Sequence, residues 1–205
     1  MRGRRTPVAG TPDHIAPDQG ATLADVVVSL ALVAVLGGLT VPVTARALEV
    51  GRVRHAAGLL ASALRDARQR AAFRASSAGV VFDQTSGGWT FRLCLDGNRN
   101  GLRRSEIDDG TDTCPEGPVA ISDVFRGVAI AVDPTLRGPA GEAGSPDAVR
   151  FGSSDLASFS PDGNASPGTV FLRSVGGTQY CVRIGGISGR TRVLRYDPGR
   201  RTWRS

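Results

Sequence analysis

Residues 26 to 45, VVVSLALVAVLGGLTVPVTA, form a run of 20 residues without an ionisable side chain. In a helix rising about 1.5 Å per residue such a run reaches about 30 Å, the thickness of a bilayer core, so it has the dimensions of a membrane helix. Arg2, Arg4 and Arg5 before it favour a cytoplasmic amino terminus, while Arg46, Arg52 and Arg54 just after it oppose that bias. With 205 residues, 40% of them hydrophobic, the chain has room for one ordinary domain besides this segment and not for two. The 27 Gly and 12 Pro suit short strands and many turns, and 21% charged residues with ordinary apolar content argue against disorder.

Two processing schemes fit the apolar run. It is either the core of a secretory signal cut near Ala45-Arg46-Ala47, which leaves a freely secreted domain, or a retained helix, cut before the run after Gly20 in QG/ATLADVVVSL. The second scheme accounts for more residues. Asp25 stands five residues after Gly20 and Pro42 twenty-two residues after it. In this spacing the segment resembles the type IV prepilin class, whose members are cut after a Gly by a prepilin peptidase. They carry an acid at the fifth mature position and a Pro at the twenty-second. The resemblance places the cleavage site, and the methylation that goes with it, at Gly20 and Ala21, and assigns assembly roles to Asp25 and Pro42. Ala21 stands where the class usually has Phe, and Asp25 where it usually has Glu. An acid at the edge of a membrane helix is costly, about 3 kcal/mol near the centre of the span, and needs a compensating partner. The resemblance implies that Asp25 neutralises the amino group of Ala21 on a neighbouring subunit; a carboxylate snorkelling to the interface is the alternative. Pro42 removes a backbone hydrogen bond and is expected to kink or locally melt the helix, aided by Gly37 and Gly38.

From Thr44 to about Ser76 there is no Pro, and Leu60, Leu64, Ala67 and Ala71 recur at helical intervals with Arg65, Asp66, Arg68, Gln69 and Arg70 on the other faces. The spacing predicts an amphipathic continuation of the same helix, roughly 55 residues and about 80 Å in all, only half of which can lie on a domain. After Gly79 the period changes to two. Strands are expected at Val80–Asp83, Trp89–Leu95, Val128–Val132, Val149–Phe151, Thr169–Ser174, Gln179–Ile184 and Thr191–Tyr196, with a surface loop over 133–148. The segments LLASALRDARQRAAFRASSAGVVF, FSPDGNASPGTVFL and YCVRIGGISGRTRVLRY resemble the GspH/FimT (pseudopilin H) group of type IV prepilin-like proteins. That likeness implies an α+β, pilin-like fold: a long amino-terminal helix, membrane half plus amphipathic half, packed on an antiparallel β-sheet head. The corresponding division is a leader over 1–20, a membrane or filament-core helix over 21–45, its amphipathic continuation over 46–76 and a β-rich head over 77–205. It implies a structural subunit of a type II secretion pseudopilus or a type IV pilus. The expected partners are other pilins or pseudopilins, the prepilin peptidase and the bacterial inner membrane, crossed once, with the head in the periplasm or outside the cell.

Three further constellations are candidates. Asp96-Gly97-Asn98-Arg99-Asn100-Gly101 begins like a calcium loop, and Asp96, Asn98, Asn100, Leu102, Glu106 and Asp108 form the candidate ligand set. The twelfth position is Ile107 where a bidentate Glu is wanted, so an Asx-rich turn is the alternative. No other cofactor is expected. Cys94, Cys114 and Cys181 follow the apolar run and so face an oxidising compartment if that run is an anchor. Cys94 with Cys114 is the first choice of disulfide, because it closes the Asp- and Asn-rich loop, and Cys94 with Cys181 is the alternative. Residues 183 to 205 hold seven Arg against Asp197 alone, which equals the net charge of +6 of the whole chain. Arg190, Arg192, Arg195, Arg200 and Arg201 are therefore candidates for contact with DNA, with Tyr196 and Trp203 interleaved for base stacking, a role with precedent among FimT-like proteins. A solvated edge strand is the alternative.

Enzymatic chemistry finds little to work with. The only histidines are His14, in a Pro-rich stretch, and His55, in a helical run, and no nucleophile-base-orienter set, phosphate loop or metal cluster is visible. The chain is expected not to be an enzyme.

Overall fold

The computed structural model describes residues 22–205, with side chains left out at 38–43. Gly20, Ala21 and His14 lie outside the described residues. The chain divides into two compact units, the first ending at Val43 and the second covering Thr44–Ser205.

Helix α1 runs Leu23–Arg74. Thr22 opens it as a cap: its amide and hydroxyl donate to Asp25 Oδ2 at 3.0 and 2.8 Å, and the Asp25 amide donates back to the Thr22 hydroxyl at 3.3 Å. The helical backbone continues through position 42, where Pro had been expected to kink the helix or melt it locally, so it is not melted there. No described helix is long and apolar enough to cross a membrane; the apolar run of the sequence includes 38–43, whose side chains are not described. α1 ends where Ala75 takes a left-handed conformation, φ 48°.

Ten strands and two short helices follow. One sheet, ordered β3-β2-β1-β6, is built from β1 (Ala78–Thr85), β2 (Gly88–Leu95), β3 (Val119–Ala120) and β6 (Leu156–Phe159). The other, ordered β10-β9-β8-β7-β4, is built from β4 (Val128–Ile130), β7 (Gly168–Ser174), β8 (Gln179–Ile184), β9 (Thr191–Asp197) and β10 (Thr202–Arg204), and β5 (Val149–Arg150) also pairs with β7. Every pairing between these strands is antiparallel. Helix α2 (Arg104–Asp108) lies in the loop after β2, and α3 (Ile121–Val124) joins β3 to β4. The segment 133–148 has no regular structure.

Within the second unit, Val53, Ala56, Ala57, Leu60, Ala61, Leu64, Ala67 and Ala71 of α1 are fully buried in the main core, together with Val80, Phe82, Phe171, Leu172, Val182 and Ile184 from both sheets. Spacing of three and four puts them on one stripe, and five of the eight are Ala, so the helix backbone can approach the sheets closely. β1 departs from simple alternation: all of Ala78–Phe82 is buried. Its second face is covered because Val81 packs with Cys94, Leu102, Ile107 and Leu156 in a smaller core beneath the loop that carries α2. A strand covered on both faces reads as a continuous apolar run.

Candidate functional site

The loop between β2 and β3 is closed covalently and by hydrogen bonds. Cys94 and Cys114 form a disulfide, and Leu95 and Thr113 exchange backbone hydrogen bonds of 2.8 and 3.0 Å beside it. Cys181 is a free, buried thiol on β8, and its burial pushes its pKa up to about 12, which makes it unreactive. Two buried carboxylates organise the loop. Asp96 accepts the amides of Asn98, Arg99 and Gly101 at 3.1, 2.6 and 3.0 Å. Asp112 accepts those of Gly97 and Arg103 at 3.0 and 3.1 Å. Burial raises the pKa of Asp96, but the converging backbone amides outweigh it and hold the carboxyl below its ordinary range. At Gly97 a Cβ would collide with the Thr111 carbonyl oxygen, so the loop can pass this closely only with glycine there.

The candidate calcium ligands with polar side chains are engaged within the loop. The Asp96 oxygens accept amides, the side-chain amides of Asn98 and Asn100 donate to the two oxygens of Glu106 at 2.9 and 2.8 Å, and Asp108 lies 3.9 Å from Arg104. Among the described residues no group of three or more His, Cys, Asp or Glu is placed to hold a metal ion. The loop closes on its own polar groups, as an Asx-rich turn does. Asp112, absent from the candidates above, accepts two amides where Asp96 accepts three, and no local pattern marks it because its partners lie nine and fifteen residues away.

The basic end of the chain does not form one patch. Arg192 stands opposite Arg183 of β8, whereas Arg195 stands opposite Tyr180 of β8 and Arg204 of β10. Three positions apart in a strand, Arg192 and Arg195 are on opposite faces of the sheet. Arg190 precedes β9, with its carbonyl accepting the Gly185 amide at 3.1 Å, and Arg200 and Arg201 lie in the turn between β9 and β10. The aromatic side chains meant for base stacking are engaged in the fold. Trp203 meets Tyr196 and Phe171 edge-on, with ring centroids 5.3 and 5.4 Å apart, and its indole N–H donates to the Arg137 carbonyl at 2.8 Å. On the Arg195 face a groove of about 630 Å³ lies between β9–β10 and α1, where Arg54 joins Arg195 and Arg204. The sequence offered Arg54 only as a charge flanking the apolar run; the packing of α1 brings it to these two.

One polar contact fixes the first turns of α1 in the second unit. The Ser174 hydroxyl donates to the Glu49 carboxylate, and Gly176 packs so closely on that carboxylate that a Cβ there would collide with it. His55 is exposed on α1.

A long amino-terminal helix with its carboxyl-terminal stretch buried by two antiparallel sheets, and a site made of structural loops and grooves, defines an α+β, pilin-like protein. The family model described as Type II transport protein GspH matches residues 56–188. That is well over half of the chain, and the chain belongs to the GspH family. Among solved structures, the solution structure of E. coli GspH aligns with a TM-score of 0.42 and 16% identity, over 73% of this chain and 92% of that one. No curated protein matches the sequence.

Proposed function

We propose that the protein is a minor pilin-like subunit, a pseudopilin of a type II secretion machine, with a structural and non-catalytic role. It is made as a prepilin, cut after Gly20 by the prepilin peptidase, and held in the inner membrane by the helix of residues 21–45 with its head on the far side. Residues 46–76 carry that helix onto the head formed by 77–205. Assembly moves the helix from lipid to the core of a filament beside other pilin-like subunits. Asp25 has one carboxylate oxygen committed to Thr22 and retains the other for the amino group of a neighbour.

The observation that carries this reading is the contrast along α1. From Val26 to Leu36 every large apolar side chain is 48% or more exposed, whereas the stripe from Val53 to Ala71 is 0% exposed. A helix that is apolar all round has to be covered by something other than water. The division of the carboxyl-terminal arginines between two faces favours the structural role over capture of DNA, which works best with a continuous cationic track. Amino-terminal sequencing of the mature protein tests the proposal: a start at Ala21 is expected, and a start near Leu48 would end it. Replacement of Gly20 by a bulky residue is expected to block maturation.

A further inference from the structure

We propose that the groove between α1 and strands β9–β10 is a docking site for a carboxylate-bearing segment of a neighbouring pilin-like subunit; this rests on the filament reading above. Arg54, Arg195 and Arg204 line it together with Tyr180, Asp197 and the carboxyl-terminal Ser205, and Asp197 already faces Arg204 at 3.6 Å. Arg54 and Arg195 are exposed and have no ion pair among the described residues. The groove adjoins a second recess of about 430 Å³ that shares Arg195 and Tyr196 and adds Arg46. There the one helix carboxylate, Glu49, is taken by Ser174.

Two features choose the occupant. A guanidinium presents a planar fork that matches a carboxylate with two parallel hydrogen bonds, so unpaired arginines around one recess select for Asp or Glu side chains. A nucleic-acid strand would want stacking rings along a run of cations, and here Tyr196 and Trp203, packed on one another, lie on the face of the sheet opposite Arg195 and Arg204. The position fits as well: Arg46 and Arg54 stand on the first turns of α1 in the second unit, directly after the stretch assigned to the filament core. A subunit beside that stretch in a filament would meet these turns first.

The test uses the full chain purified in detergent and a fluorescein-labelled hexapeptide of alternating Glu and Ala, with its Gln counterpart and a twelve-residue oligothymidylate as competitors for the assignment. The Glu peptide is expected to bind at least tenfold more tightly than the Gln peptide, and to weaken at least tenfold in the double variant Arg54→Glu with Arg195→Glu. Arg192→Glu, on the opposite face, is expected to leave binding unchanged. Circular dichroism and the thermal midpoint verify that each variant is folded, and because both groove positions are exposed and unpaired, no loss of fold is expected. Equal affinity for the Glu and Gln peptides, or equal weakening by Arg192→Glu, overturns the proposal. So does tighter binding of the oligothymidylate with the same dependence on Arg54 and Arg195, which would assign the groove to nucleic acid. Amino-terminal sequencing of the same preparation keeps the two ideas separate: a start at Ala21 with no peptide binding removes the groove alone, and a start near Leu48 removes the filament reading whatever the peptide does.

Discussion

Helix α1 contains two apolar stretches of opposite fate. Leu30, Leu32, Val33 and Leu36 in the first are 59 to 67% exposed, and Leu60 and Leu64 in the second are fully buried. What separates them is the remainder of each turn. The first stretch has no charged side chain from Val26 to Ala45, so no face of it prefers water. The second has Arg65, Asp66, Arg68 and Arg70 around a stripe made mainly of Ala, and Asp66 and Arg70 pair at 2.9 Å across one turn. Hydrophobicity alone therefore does not show what a helix packs against; a polar face opposite a small-residue stripe shows that its own domain covers it, and the lack of one means the cover comes from elsewhere.

The sharpest way to break this comparison is to make the same truncation in both stretches. Leu64→Ala is expected to lower the stability of the head by about 2–5 kcal/mol through lost burial and the cavity left behind. Leu32→Ala is expected to leave urea unfolding of the head in detergent unchanged. Comparable losses from the two would mean that the stretches are not distinct. Next in size is the Cys94–Cys114 bridge, which spans 20 residues and tethers the loop next to the end of α1, where the Ser76 hydroxyl donates to the Asp96 carbonyl at 3.1 Å. Replacing both cysteines by Ser is expected to cost about 3 kcal/mol in the same assay. A smaller effect marks where the buried stretch begins. Glu49→Ala removes the carboxylate from Ser174 and is expected to cost about 1–2 kcal/mol, while a change at exposed Leu48 should cost nothing measurable.

Much of the fold was legible because long elements repeat their signal. Leu60, Leu64, Ala67 and Ala71 were read as the inner face of a helix, and all four are fully buried. Each of the seven expected strands overlaps an observed one, and the helix was expected to end near Ser76 and ends at Arg74. The missed elements, β3, β6, β10, α2 and α3, are two to five residues long, too short to complete a period. β6 exists because Leu156–Phe159 finds the open edge of β1, a contact over some eighty residues that no local pattern announces. The smaller core was hidden for a related reason: Val81 looked like one more residue of an alternating strand until Leu102 and Ile107 were folded over it. At the basic end, alternation already implied that Arg192 and Arg195 diverge, but Arg54 reaches the same groove only through the packing of α1 on β8 and β9, which spacing within one segment cannot express.

The smallest expected effect concerns acid, and it again separates the two stretches. The amides gathered on Asp96 lower its pKa from the ordinary 3.8, so the folded chain binds this proton less readily than the unfolded chain. Its contribution is therefore complete above the unfolded value and is lost as the pH falls through the lower folded value, which places the window below about pH 4. Other carboxylates titrate in the same range, so the informative quantity is the difference between the wild type and Asp96→Asn, measured by urea unfolding at pH 7, 5, 4 and 3. The wild type should be the more stable at pH 7, and that advantage should be smaller at pH 3. Hydrogen exchange should place the acid-induced opening at the amides of Asn98, Arg99 and Gly101, with no change over Leu23 to Leu36, where no side chain depends on the loop. An advantage that persists undiminished at pH 3 would mean that shape, and not the carboxylate charge, holds the loop against the end of α1.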